Sequence, residues 1–278
     1  MQCLRNLGIW KSHTGVPMRL PLHQIDAFAT RAFEGNPAAV MPLEAWLPEA
    51  VMQRIAEENN LSETAFLVKE PSGWRIRWFT TVAEIDLCGH ATLASAWLIL
   101  NELEPGGSRV SFQSRSGPLS VERVGEELVL DFPSRPGRPA PELVGPVAKS
   151  IGIRPLEVRL ARDVMAVLPD EAAVLTVIPD YAAMTGLPGV ATIITAPGQT
   201  HDFVSRCFFP GDGVPEDPVT GSAHCTLIPF WAERLGKTRM RAFQASRRGG
   251  ELACEAAGDR VRIGGRAVKV IEGHFLLA

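Results

Sequence analysis

The sequence predicts an α/β (α+β) protein built as two similar halves. Three observations predict it: a strand–loop–helix segment that occurs twice, a proline-rich connector near mid-chain, and short apolar strands alternating with helices of small residues. In the first copy, Arg77-Trp-Phe79 precedes Glu84 and then Cys88-Gly89-His90-Ala91. In the second, Arg206-Cys-Phe208 precedes Glu216 and then Thr220-Gly221-Ser222-Ala223. The spacing from glutamate to glycine is identical, and both copies sit at the same strand–loop–helix place.

The elements follow in order. Residues 1–17 show no period, and Met18-Arg-Leu-Pro-Leu-His-Gln-Ile25 reads as an opening strand, so 1–17 is expected to be an extension. A helix is predicted over 48–60, with Pro48 in its first turn, where a missing N–H costs nothing. Strands are predicted over 64–68 and over 74–80, where Trp-Arg-Ile-Arg-Trp-Phe alternates at period two. A loop over 81–89 leads into a small-residue helix over 90–103, and strands follow at 109–114, 119–123 and 127–132.

Residues 132–141 contain Pro133, Pro136, Pro139 and Pro141, a stiff extended connector. It divides the chain into halves at 18–133 and 134–278, with the last strands free to return to the first half. The second half is read as a helix over 142–151, strands over 173–178, 190–196 and 203–209, a loop over 210–221 and a helix over 222–235. Strands complete the tail from Thr238, with Gly258-Asp259 and Gly264-Gly265 as hairpin turns.

Composition narrows the function. With 278 residues, 46% hydrophobic and 21% charged, the chain is ordinary globular material able to bury a core without staples. A net charge of −3 argues against a general nucleic-acid binder. Five scattered cysteines without a C-x-x-C argue for a reducing compartment rather than a disulfide framework. Apolar runs such as 94–100 are too short to cross a bilayer, and residues 1–16 lack the apolar core of a signal peptide. A cytoplasmic protein without membrane or nucleic-acid partners is therefore expected. Neither a Walker loop nor a G-x-G-x-x-G fingerprint supports nucleotide binding. Cys88-x-His90 and His224-Cys225 are metallophilic in type but lack a matching second pair, so no metal site is expected.

The repeat has a chemical use. Each half presents a helix N-terminus preceded by glycine, where free N–H groups and the helix dipole favour an anion. Two such ends facing each other across a cleft suit a carboxylate and an enolate-like charge. The competing reading is that glycine and alanine only permit close helix packing.

Five segments together identify a resemblance. Gln24-Ile-Asp-Ala-Phe28 with Gly35-Asn-Pro37, Asn60-Leu-Ser-Glu-Thr64, Asp86-Leu-Cys-Gly-His-Ala-Thr92, Gly213-Val-Pro-Glu-Asp-Pro-Val-Thr-Gly-Ser-Ala-His224 and Gln244-Ala-Ser-Arg-Arg-Gly-Gly250 resemble the PhzF-like family, named for the phenazine-biosynthesis isomerase. The resemblance runs from about Met18 to the end. It implies the diaminopimelate-epimerase-like fold, with two pseudo-symmetric halves, each a strand barrel around a central helix, and the site in the cleft between them. It also implies a homodimer that needs no cofactor. The best-understood member moves a proton within a dihydro-hydroxyanthranilate ring.

Residue by residue, the resemblance makes Glu63 the acid/base, His90 a group that orients substrate or assists proton transfer, and Asp217 a contact to the substrate's polar substituent. Gly89, Gly221 and Ser222 are expected to donate backbone N–H groups to a small carboxylate, beside Cys88 and Thr220. In the more distant epimerases and racemases, two cysteines face each other as paired acid and base. Here those positions are Cys88 and Thr220, and threonine is a poor base without activation. The main expectation is a cofactor-independent isomerase using Glu63. The alternatives are a Cys88-based racemase, epimerase or dehydratase, and a non-catalytic protein that binds a metabolite or a protein partner.

Overall fold

The computed structural model describes residues 17–71, 73–212 and 214–277. The extension expected over 1–17 therefore lies almost wholly outside the described residues. All described strands join one hydrogen-bonded sheet of mixed direction.

The sheet is a repeat in its own topology. In the first half, Met18–Ala27 pairs antiparallel with Asn36–Leu43, which runs parallel to Glu63–Glu70. Glu63–Glu70 pairs antiparallel with Gly73–Phe79, which runs parallel to Arg109–Ser114; Gly117–Val124 and Glu127–Pro133 follow antiparallel. The second half repeats that order of directions with Glu157–Leu160, Val164–Val167, Thr192–Pro197, Phe203–Phe209, Arg239–Gln244, Gly250–Ala257 and Arg260–Gly265. The halves are sewn together where Arg260–Gly265 pairs with Glu127–Pro133. The final strand, Ala267–Leu277, returns to pair with Met18–Ala27.

Each half curls round one helix. Gly89–Leu98 is buried on nearly every face, with Ala91, Leu93, Ala94, Ala96 and Leu98 at 0% exposure. A helix apolar all round belongs inside a core. Two of its polar side chains bond back within the helix: the Thr92 hydroxyl donates to the Cys88 carbonyl and the Ser95 hydroxyl to the Ala91 carbonyl. A single π turn, Ile99–Leu103, ends it. The second helix, Gly221–Leu235, carries Pro229 and packs Trp231 flat on Phe203 with ring centroids 5.7 Å apart. The Trp231 indole donates to the Thr195 hydroxyl at 3.0 Å, so its polar edge costs nothing on burial.

Among the described residues the strands wrapped on the central helices stay open, with hydrogen bonding running from Ala267–Leu277 at one edge to Arg138–Pro139 at the other. Three expectations are corrected. The strand expected over 173–178 is a helix, Glu171–Thr176. The Asp170 carboxylate caps it by accepting from the Ala173 amide at 2.8 Å, a contact worth about 1 kcal/mol that outweighs the β-branched bias of the run. Gly264-Gly265 is not a turn but the end of a strand, and a Cβ on Gly265 would lie 2.3 Å from the buried Phe28 ring. Pro48 sits just outside its helix, Glu49–Asn59, rather than in the first turn.

Candidate active site

The candidate site lies where the N-termini of the two central helices meet. A Cβ on either Gly89 or Gly221 would stand 3.5 Å from the other glycine's Cα, so the helix ends touch backbone to backbone. Neither end is capped by a side chain, although Cys88 and Thr220 occupy the extended N-cap positions. Threonine ordinarily spends its hydroxyl on the helix amides. Thr220 instead donates to Asp217 Oδ2 at 2.5 Å, which leaves the first amides of its helix for another acceptor.

The loops before both helices are held by the same device. Arg77 Nε donates to Glu84 Oε1 at 2.7 Å, and Arg206 Nε donates to Glu216 Oε1 at 2.7 Å. These are the arginines and glutamates of the repeat, so the sequence match corresponds to a repeated structural part.

Glu63 opens its strand, beside Ala38 of the neighbouring parallel strand. Its Oε2 lies 3.1 Å from His90 Nε2, with the two side chains only 16% and 6% exposed. The contact lacks hydrogen-bond alignment, and neither atom has another partner among the described residues. A buried donor and acceptor left unpaired are costly, so both are available to a third group beside them. On the other side of the ring, Cys88 Sγ lies 3.6 Å from His90 Nδ1. The ring nitrogen facing Glu63 carries a proton in the imidazolium, and equally in the neutral ring when Nδ1 accepts from the thiol.

Asn36 bridges the halves. Gly35 before it has φ +65°, and a Cβ there would meet the Ala27 carbonyl at 2.1 Å, so only glycine admits the turn. The Asn36 amide nitrogen donates to Asp217 Oδ1 at 2.8 Å and to the Val219 carbonyl at 3.0 Å. Those two bonds use both of its hydrogens, so the 3.2 Å approach to His90 Nδ1 is a packing contact. Gln244 completes the second side: its Oε1 accepts from the Thr220 amide at 2.8 Å and its nitrogen donates to the Asp217 carbonyl at 2.8 Å.

The charges follow from these neighbours. Burial pushes the His90 imidazole down, but Cys88 and Glu63 push it up and prevail, well above its ordinary range. Burial, reinforced by Glu63, raises the Cys88 thiol above its ordinary value. The sulfur is therefore a neutral thiol at neutral pH, and Glu63 is the cause that acts on His90 there. Burial raises Asp217 to about 6 against the pull of His90, with Glu63 adding to the rise. Burial lowers His224 to about 4, so it is neutral and donates from Nδ1 to the Thr220 carbonyl at 2.8 Å.

Of the expected residues, Glu63, Cys88 and His90 come together, each offering a donor atom within 4.8 Å of the others. These three are the residues there with metal-ligand chemistry; the protonated thiol makes them a weak set. Asp217 and Thr220 join them through Asn36. Ser222 stands on the far side, its hydroxyl accepting from Arg162 at 3.0 Å. The sequence by itself assigns no role to Asn36, Gln244 or Arg162. The first two lie inside the motifs that carried the resemblance, while Arg162 lies in none.

A model of the phenazine biosynthesis-like family matches residues 25–273. An uncharacterized isomerase of Pseudomonas aeruginosa is 50% identical over 265 residues, covering 94% of this chain and all of the relative. A crystal structure of a PhzF-family phenazine biosynthesis protein from Enterococcus faecalis superposes with a TM-score of 0.91 at 49% identity, over 94% of this chain and all of that one. A hydroxyproline epimerase from Agrobacterium vitis shares the fold at a TM-score of 0.60 and 9% identity, over 93% of each chain. No helix among the described residues is long and apolar enough to cross a membrane.

Proposed function

The chain belongs to the phenazine biosynthesis-like family, whose curated relatives include isomerases, and from that premise we propose a cofactor-independent isomerase that moves a proton on a small carboxylate-bearing metabolite. Glu63 is the acid/base. Its carboxylate removes a proton from one carbon, becomes a carboxylic acid that exchanges its proton with solvent, and delivers a proton to another carbon of the same molecule. No oxidant, reductant or second substrate enters. The observation that carries the reading is the Glu63–His90 pair, 3.1 Å apart, its facing atoms buried and without another partner among the described residues. His90 presents N–H toward Glu63 and stabilises negative charge beside it. The uncapped amides of the two helix ends stabilise the enolate-like charge that develops when the proton leaves. Asp217, held by Asn36 and Thr220, contacts a polar substituent of the substrate.

Cys88 is the competing base. Its raised pKa and the hydroxyl at the matching position, Thr220, both favour Glu63 instead. The enzyme acts as a cytoplasmic homodimer, each chain folding as halves 18–133 and 134–278. The test compares Glu63→Gln and Cys88→Ala on dihydro-hydroxyanthranilate and related cyclic and β-substituted acids. Glu63→Gln is expected to lose turnover by about 100-fold or more, and Cys88→Ala to stay within a few-fold of wild type. The reverse pattern assigns the reaction to the thiol; no turnover by wild type supports a binding protein.

A further inference from the structure

The two halves are alike in backbone and unlike in chemistry, and the register locates the difference. Thr64 pairs with Phe79 in the first half, and Thr192 with Phe208 in the second. Glu63 therefore corresponds to Ala191, and by the same repeat His90 corresponds to Ser222. Ala39 lies beside Thr64 and Val164 beside Thr192, which brings Arg162 and Asp163 to the places of Pro37 and Ala38. In the first half a carboxylate stands against His90. In the second half that acid is missing, and a guanidinium stands against the corresponding residue, Ser222.

We propose that Arg162 is the specificity-determining cation of the site and binds the carboxylate of the substrate, while Glu63 handles its proton. This rests on the acid/base reading of Glu63. The local geometry suits the role. Arg162 Nε and one terminal nitrogen hold Asp163, with bonds of 3.0, 3.2 and 2.9 Å. Asp163 is 1% exposed, so one edge of the guanidinium is fixed. The other terminal nitrogen makes no hydrogen bond among the described residues, and the side chain is 34% exposed. The Ser222 oxygen accepts from Arg162, so its own O–H remains to donate. A guanidinium N–H, a hydroxyl and the uncapped helix amides together match a planar carboxylate, and discriminate against a neutral amide.

The test uses the full chain and a matched pair of probes, 2-aminobenzoate and 2-aminobenzamide, with binding read by equilibrium dialysis over the millimolar range. Wild type is expected to bind the acid at least about ten-fold more tightly than the amide. Arg162→Gln is expected to abolish that preference and Arg162→Lys to keep part of it. Arg162→Gln leaves Asp163 buried without its cation, so Arg162→Gln/Asp163→Asn is measured alongside as the variant that removes both charges. Glu63→Gln is expected to hold the acid at least as tightly as wild type, because a nearby negative charge is gone. Equal binding of acid and amide, no binding of either, or a preference that survives both Arg162→Gln variants overturns the proposal. Failure of the acid/base reading shows separately, as unchanged turnover in Glu63→Gln with the Arg162-dependent acid preference intact.

Discussion

Asp217 carries a measurable prediction because its pKa, about 6, lies well above its ordinary 3.8. Between those values the folded protein keeps a proton that the unfolded chain has released. The stability from that proton is complete below pH 3.8 and is lost as pH rises through 6. The full shift corresponds to a ceiling of about 3 kcal/mol. Asp217 is half-buried, and solvent screening reduces this to about 1–2 kcal/mol. Asp217→Asn removes the titration and keeps an acceptor for Asn36 and a donor for the Thr220 oxygen. The variant is therefore expected to gain about 1–2 kcal/mol on wild type between about pH 4 and about pH 7.5. Urea unfolding followed by tryptophan fluorescence at each pH measures it. A difference independent of pH refutes the reasoning. So does a variant that loses ground as pH rises, since that is the signature of a carboxylate stabilised by His90.

Two further perturbations test the fold around the site. Asn36→Ala leaves Asp217 Oδ1 and the Val219 carbonyl without their donor and is expected to cost about 2–4 kcal/mol in urea unfolding; a loss below about 1 kcal/mol contradicts the bridge between halves. Gly265→Ala forces a methyl to within 2.3 Å of the Phe28 ring and is expected to cost about 2–3 kcal/mol, read as a lowered Tm; an unchanged Tm contradicts the packing of that strand end.

What the sequence made legible is local. The Arg77–Glu84 and Arg206–Glu216 pairs join residues close in the chain, so their repetition shows as a repeated motif. The central helices show because each follows a glycine at the same place in the repeat. Long-range pairing is different. Asn36 meets Asp217 across 181 residues, and nothing local to either marks the other as its partner. The seam between Glu127–Pro133 and Arg260–Gly265 is likewise a tertiary pairing of two ordinary amphipathic strands. The 173–178 segment misleads because Val174, Val177 and Ile178 suggest a strand, while Asp170 upstream decides for a helix. Arg162 stays hidden because its meaning lies in register: only the match between the two parallel strand pairs sets it at the place of Pro37, next to Asp163, which lies opposite Ala191, the counterpart of Glu63.

The most direct measurement is proton exchange. The protein is incubated in deuterated water with dihydro-hydroxyanthranilate and a panel of cyclic and β-substituted carboxylic acids, and NMR follows deuterium into carbon positions. The account predicts label entering a carbon of at least one acid with wild type and none with Glu63→Gln. Label that enters at the same rate with Glu63→Gln contradicts it.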